Sequence, residues 1–182
     1  DGVPLTKEGL EQSERIAKYL KPLNISAIYS SPIERAKHTA EIVAKHNSLN
    51  YELDSRLTEL DMGKFTCKPY EEIFAKYGNI FLKYCENDPA ITEHEIETFP
   101  QVKKRVLDMV NYVVKKHKNE NVLLVTHMDP IKIMLSEIMY LTPQALFELI
   151  ITNCSLTIIK ENNMKFFLSA INVMDTDRYN QN

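Results

Sequence analysis

Leu10, Ala17 and Leu20 fall on one face of a helix, and Thr6 is a good N-cap before them. The spacing therefore predicts a helix from Thr6 to about Leu20, ended by Pro22. Ile25–Tyr29 is short, apolar and bounded by polar residues, the pattern of a buried strand. Ser31 can cap a second helix that starts at Pro32 and runs to about His46. A short extended piece near Tyr51–Leu53, an irregular loop over 57–68 and a helical stretch over 69–87 broken near Gly78 follow. Phe99, Val102, Val106, Met109, Val110 and Val113 mark a long amphipathic helix. Val122–Thr126 is the clearest buried strand, and Pro130 begins a helix that turns Ile131, Met134, Leu135 and Ile138 inward. The chain closes with a short helix at 143–149 and two strands, Ser155–Lys160 and Phe166–Ile171, joined by Glu161-Asn162-Asn163.

Strands alternating with helices predict an α/β fold, a three-layer α/β/α sandwich around a mostly parallel central sheet. The 182 residues suffice for one such domain, expected over 1–182, and carry no repeat, linker or low-complexity stretch. Ligands of these folds bind beyond the carboxyl ends of the strands. Two predicted strands end at Ser30 and at His127, and both lead directly into helices, which puts them on one rim.

Composition narrows the partners. With 44% apolar and 26% charged residues and a net charge of -3, nothing points to nucleic acid, and no apolar run is long enough to span a membrane. Three cysteines without metal-ligand spacing predict reduced thiols in a cytoplasmic protein. The oligomeric state is open, a homodimer included. A net-negative chain that handles an anion has to concentrate its positive charge locally, so individual arginines carry the information.

Arg35 lies one turn into a helix that follows a strand. Free backbone N–H groups favour an anion there, and a guanidinium adds bidentate hydrogen bonds to phosphate oxygens. A solvated surface Arg is the plainer alternative. His127, at a strand end before a helix, suits a nucleophile, a base, a ligand or, protonated, a phosphate holder; a hydrogen-bonded structural His fits equally. Glu59, in Leu57-Thr58-Glu59-Leu60-Asp61-Met62-Gly63, can protonate a leaving oxygen if its loop faces the site, although exposed loop glutamates are common.

Taken together, six stretches in order resemble the histidine phosphatase superfamily, with its phosphoglycerate mutase-like fold. Pro4-Leu5-Thr6 with Gly9 and Gln12 resembles its P-L-T-x-x-G-x-x-Q helix start. Ser30-Ser31-Pro32-Ile33-Glu34-Arg35-Ala36 resembles its S-S-P-x-x-R-A segment, and Leu57-Thr58-Glu59 with Gly63 its L-x-E-x-x-x-G loop. Glu97-Thr98 with Arg105 resembles its G-E-S segment and following Arg. Val125-Thr126-His127 resembles its V-S/T-H motif, and Asn153-Cys154-Ser155 its N-x-S strand entry. Met128-Asp129 departs from the Gly-Gly that often follows the His, Cys67 stands where a Gly is common, and Ile96 replaces the Gly of G-E-S.

The resemblance implies a phosphomonoester hydrolase that forms a phosphohistidine and needs neither metal nor cofactor. It implies catalytic roles for His127, Glu59 and Arg35, and phosphate contacts from Arg35, His127, Met128 and Ser30 to a small phosphorylated substrate. The nucleophilic His of the family lies in an R-H-G motif upstream of P-L-T, where this chain begins, so that motif is expected before residue 1. His38, His46, His94 and His117 read as surface residues. Residues 64–96 are the expected helical lid, with Phe65, Tyr70, Phe74 and Tyr77 either facing substrate or packing the lid onto the core. No Arg occurs in 64–96 to clamp a carboxylate, which favours a phosphatase over a cofactor-dependent mutase. The other alternative is a non-catalytic phosphate-binding module of the same fold.

Overall fold

The computed structural model describes residues 2–174. Thr6 Oγ1 accepts the Gly9 N–H at 3.1 Å and starts α1 (Lys7–Leu20), which buries Ile16, Ala17 and Leu20. The chain continues through β1 (Ile25–Ser30), α2 (Glu34–Asn47) and β2 (Tyr51–Leu53). Two short helices, α3 (Tyr70–Tyr77) and α4 (Ile80–Cys85), part at Gly78, whose φ of 75° ends the first. Then come α5 (Phe99–Lys116), β3 (Asn121–Val125), α6 (Met128–Met139), α7 (Pro143–Glu148), β4 (Leu156–Asn162) and β5 (Lys165–Val173).

β1 lies between β2 and β3, parallel to both, and helices cover both faces of this sheet. Alternate residues of β1 face opposite layers. Ile28 packs with Ile16, Leu20 and Val43 of α1 and α2. Tyr29 packs with Leu57 and with Met109 of α5. A third apolar body joins Tyr84, Ile91, Val102, Val106 and Ile133, fastening the 64–96 segment to α5 and α6. β4 and β5 form a separate antiparallel pair. Among the described residues β3 pairs only with β1, so Leu123, Leu124 and Val125 are no more than half-buried.

Two helix starts differ from the sequence expectation. Ser31 Oγ accepts the Ile33 N–H at 3.2 Å, and this tight turn holds Pro32 and Ile33 outside α2, which begins at Glu34. α6 begins at Met128 rather than Pro130. Proline is tolerated there because the first turn of a helix has no partner for its N–H groups. The inward face of α6 shifts accordingly: Ile133 is buried and Ile131 only half-buried.

Gly63 ends the Glu59 loop at φ 50°, and a Cβ placed on it would collide with the backbone carbonyl of Glu95. The loop is thereby seated against the Pro89–His94 turn. Gly63→Ala combines backbone strain with this clash and should cost about 2 kcal/mol or more, read as a lower urea midpoint at unchanged m-value.

Candidate active site

The register of β1 on β3 builds the rim. Ser30 stands level with Val125, and the Ser31 N–H extends the ladder to the Val125 carbonyl at 2.9 Å. The segments leaving the two strands therefore run side by side. His127, at the N-cap position of α6, is 7% exposed, and its Nε2 shares a 2.8 Å hydrogen bond with Ser31 Oγ. Burial, and then the charges of Arg35 and Arg105, push its pKa down to about 4, so the imidazole is neutral at neutral pH. The half-buried Arg35 guanidinium makes no hydrogen bond or ion pair among the described residues. An unpaired guanidinium beside a neutral imidazole is a site with an unmet demand for an anion.

Glu59 reaches the same rim from its loop. Its Oε2 accepts the Met128 N–H at 3.2 Å, and its Oε1 accepts those of Asp129 at 3.1 Å and Leu60 at 3.0 Å. The carboxylate thus sits on the N-terminus of α6, where free N–H groups and the helix dipole favour negative charge. Arg105 of α5 fixes the loop behind it. Its Nη1 donates to the carbonyls of Arg56 at 2.9 Å and Thr58 at 2.7 Å, and its Nη2 to that of Glu59 at 3.1 Å. Its Nε and Nη2 also grip Glu97 at 2.7 and 2.8 Å.

Arg35, Glu59, His127 and Met128 together line one cavity of about 450 Å³, which extends along the free edge of β3 as far as Leu156 of β4. Arg35 is the only Arg or Lys lining it among the described residues. Ser30 is not brought to it: the residue is fully buried and its hydroxyl donates to the Ser31 carbonyl at 3.0 Å. The neighbouring Ser31 makes the contact to His127 instead. None of residues 64–96 lines the cavity. Phe65 packs in the core, its ring tilted against those of Tyr77 at 4.8 Å and His94 at 4.6 Å, while Tyr70 and Phe74 lie exposed on α3. His38, His46, His94 and His117 are all half-buried rather than surface residues, and His117 hydrogen-bonds the buried Tyr29 hydroxyl at 2.9 Å.

The sequence marks Arg105 without assigning it a task, shows Asp129 only as a departure from Gly-Gly, and does not single out Lys132; both Asp129 and Lys132 are only 6% exposed, in the first turns of α6. Burial against residue type was the missing information.

The family model of the histidine phosphatase superfamily (branch 1) matches residues 1–174. The chain belongs to the histidine phosphatase superfamily. This member is 32% identical to a 2,3-bisphosphoglycerate-dependent phosphoglycerate mutase of Thermoplasma acidophilum, over 98% of this chain and 85% of that one. It is 29% identical to phosphoserine phosphatase 1 of Hydrogenobacter thermophilus, over 71% of this chain and 62% of that one. Among solved structures, Bacillus stearothermophilus YhfR superimposes with a TM-score of 0.83 at 28% identity, covering 93% of this chain and 85% of that one. A mycobacterial glucosyl-3-phosphoglycerate phosphatase shares the fold with a TM-score of 0.81 at 22% identity, covering 94% and 88%. The superfamily thus holds both phosphatase and mutase relatives of this chain.

The neutral buried His127 makes a pH prediction for this superfamily member. Between pH 6.5 and 4 the unfolded imidazole takes up a proton that the folded one refuses, so this residue removes stability as the pH falls, on the order of 3 kcal/mol by pH 4. Asp129, its pKa raised to about 7, acts in the opposite direction: it holds a proton when folded that it would lose when unfolded, and gains stability on acidification. Urea unfolding of wild type and His127→Asn at pH 7, 5.5 and 4.5 separates the two. The variant should lose less stability than wild type towards acid.

Proposed function

We propose that this chain carries a phosphomonoester hydrolase that works through a phosphohistidine intermediate without a metal or cofactor. The observation that carries this reading is the unpaired Arg35 guanidinium beside neutral His127, with the Glu59 carboxylate fixed at the same rim. Arg35 and His127 hold the phosphoryl oxygens as negative charge spreads over them. Glu59 gives a proton to the leaving oxygen and then takes one from the water that hydrolyses the phosphoenzyme.

The nucleophile in this scheme is the His of an Arg-His-Gly segment preceding residue 1. Support comes from the sheet. Among the described residues β3 presents a free, apolar, half-buried edge, and the cavity beside it runs to Leu156 of β4. A parallel strand laid in that slot ends at the rim that holds Arg35 and His127.

Water, rather than a second hydroxyl, is the acceptor in this reading. Phosphoglycerate transfer needs cations for the carboxylate as well as the phosphate, and Arg35 is the one Arg or Lys lining the cavity among the described residues. The free thiols Cys67, Cys85 and Cys154 suit a cytoplasmic enzyme.

The test uses the full-length protein with p-nitrophenyl phosphate and phosphoserine, in the presence of EDTA. Arg35→Ala and His127→Ala should each lower kcat/KM by about 10²-fold or more, and Glu59→Ala should hurt phosphoserine most, since an alkoxide needs protonation. An acid-labile phosphoenzyme should accumulate after rapid quenching. Turnover indifferent to all three substitutions would remove the assignment. Net conversion of 3-phosphoglycerate to 2-phosphoglycerate with a bisphosphate primer would favour the mutase, and phosphate binding without turnover the non-catalytic module.

A further inference from the structure

Three backbone N–H groups point at the two Glu59 oxygens and hold the group in place. An acid that serves an alkoxide leaving group has to be reprotonated from nearby.

Asp129 supplies one of those N–H groups, to Glu59 Oε1 at 3.1 Å, from the first turn of α6. It is 6% exposed, and its carboxyl group is in side-chain hydrogen-bonding reach of Glu59. It makes no ion pair among the described residues. The one ammonium on its own helix, Lys132, spends Nζ on the Phe147 carbonyl at 3.2 Å. Two neighbouring carboxyl groups, one of them buried, cannot both carry charge at modest cost.

We propose that Asp129 and Glu59 share one proton, and that Asp129 is the positioning residue from which Glu59 is recharged before it protonates the leaving oxygen. This rests on the acid role given to Glu59 above. In the first half-reaction the P–N bond to the nucleophilic His forms as the P–O bond to the leaving group breaks; the leaving oxygen keeps the electron pair and takes the one shared proton, relayed from Asp129 through Glu59. The pair is left doubly deprotonated. In the second half-reaction the water oxygen bonds to phosphorus as the P–N bond breaks and the His keeps that electron pair; Glu59 takes a proton from the water, and the shared proton is restored.

The groups facing Asp129 agree with this. Burial, and then the Glu59 charge, push its pKa up to about 7, against the opposing charges of Lys132 on α6 and Arg105 on α5. From α4, the phenol of Tyr84 is raised by burial and stays neutral, and the Cys85 thiol is pushed up to about 11. Neither competes for the proton. The Tyr84 hydroxyl is itself buried without a hydrogen-bond partner, so it offers no fixed acceptor either.

Asp129→Asn keeps shape and a donor for Glu59 but has no transferable proton. In the full-length protein it should lower kcat/KM for phosphoserine at pH 7 at least tenfold more than for p-nitrophenyl phosphate, whose leaving group needs no acid. The alkaline limb of the phosphoserine pH profile should move to lower pH by a unit or more. ¹³C-carboxyl titration reads the pair without turnover: both carboxyl signals of the wild type should respond together near pH 7. A wild-type pH profile in Asp129→Asn, equal losses on both substrates, or two carboxyl groups titrating separately below pH 5 would overturn the proposal. Glu59→Gln tells the two readings apart. If it leaves phosphoserine hydrolysis intact, the acid role of Glu59 has failed; if it abolishes hydrolysis while Asp129→Asn behaves as wild type, only the shared proton has.

Discussion

The parallel pairing of β1 with β3 is the constraint on which the site depends. Backbone hydrogen bonds level Ser30 with Val125 and then carry on one residue past the strands, from the Ser31 N–H to the Val125 carbonyl. A slip of one residue would turn every side chain to the opposite face. It would also part Ser31 from His127, since their hydrogen bond joins the residues that leave the two strands. The positions of Arg35 and of the α6 N-terminus follow from the same register, because each helix starts within a few residues of its strand end. Apolar packing on both faces, Ile28 on one side and Tyr29 on the other, makes that register costly to change.

The third element of the site is attached differently. The Glu59 loop has no strand to fix it. One guanidinium, Arg105, draws three of its backbone carbonyls, those of Arg56, Thr58 and Glu59, towards α5 and is neutralised by Glu97. Each of those carbonyls would otherwise be turned from water without a partner, so the Arg satisfies several polar groups at once. Its positive charge also reaches His127 and helps keep that ring neutral. Structural support and electrostatic tuning are therefore supplied by the same side chain, on a helix that lines no part of the cavity.

Much of this was legible in the sequence, for a physical reason. The amphipathic repeat of α5 and the apolar runs of β1 and β3 have a single good placement, between or against other apolar surfaces. Helix starts were less legible, because Ser31 uses its hydroxyl in a local turn and Pro130 is at ease inside a first turn. Arg35, Glu59 and His127 stood out only as an ordered set; each alone has an ordinary explanation. The task of Arg105 was hidden because its partners are carbonyls 46 to 49 residues away, and carbonyls leave no trace in residue type. Asp129 was hidden because its importance lies in burial, which its chemistry argues against. Ser30 and Ser31 differ by one position along the chain, and only coordinates tell which hydroxyl turns to the imidazole.

The free edge of β3 has a further consequence, for the handling of the protein. Among the described residues it offers unpaired N–H and C=O groups flanked by Leu123, Leu124 and Val125, with no charge or proline among them to discourage a neighbour. Natural sheet edges of that composition are normally covered, because a bare one recruits any extended apolar segment, including that of another copy. A form of the protein that leaves this edge bare is thus prone to self-association, and solubility would report on whether the edge is covered.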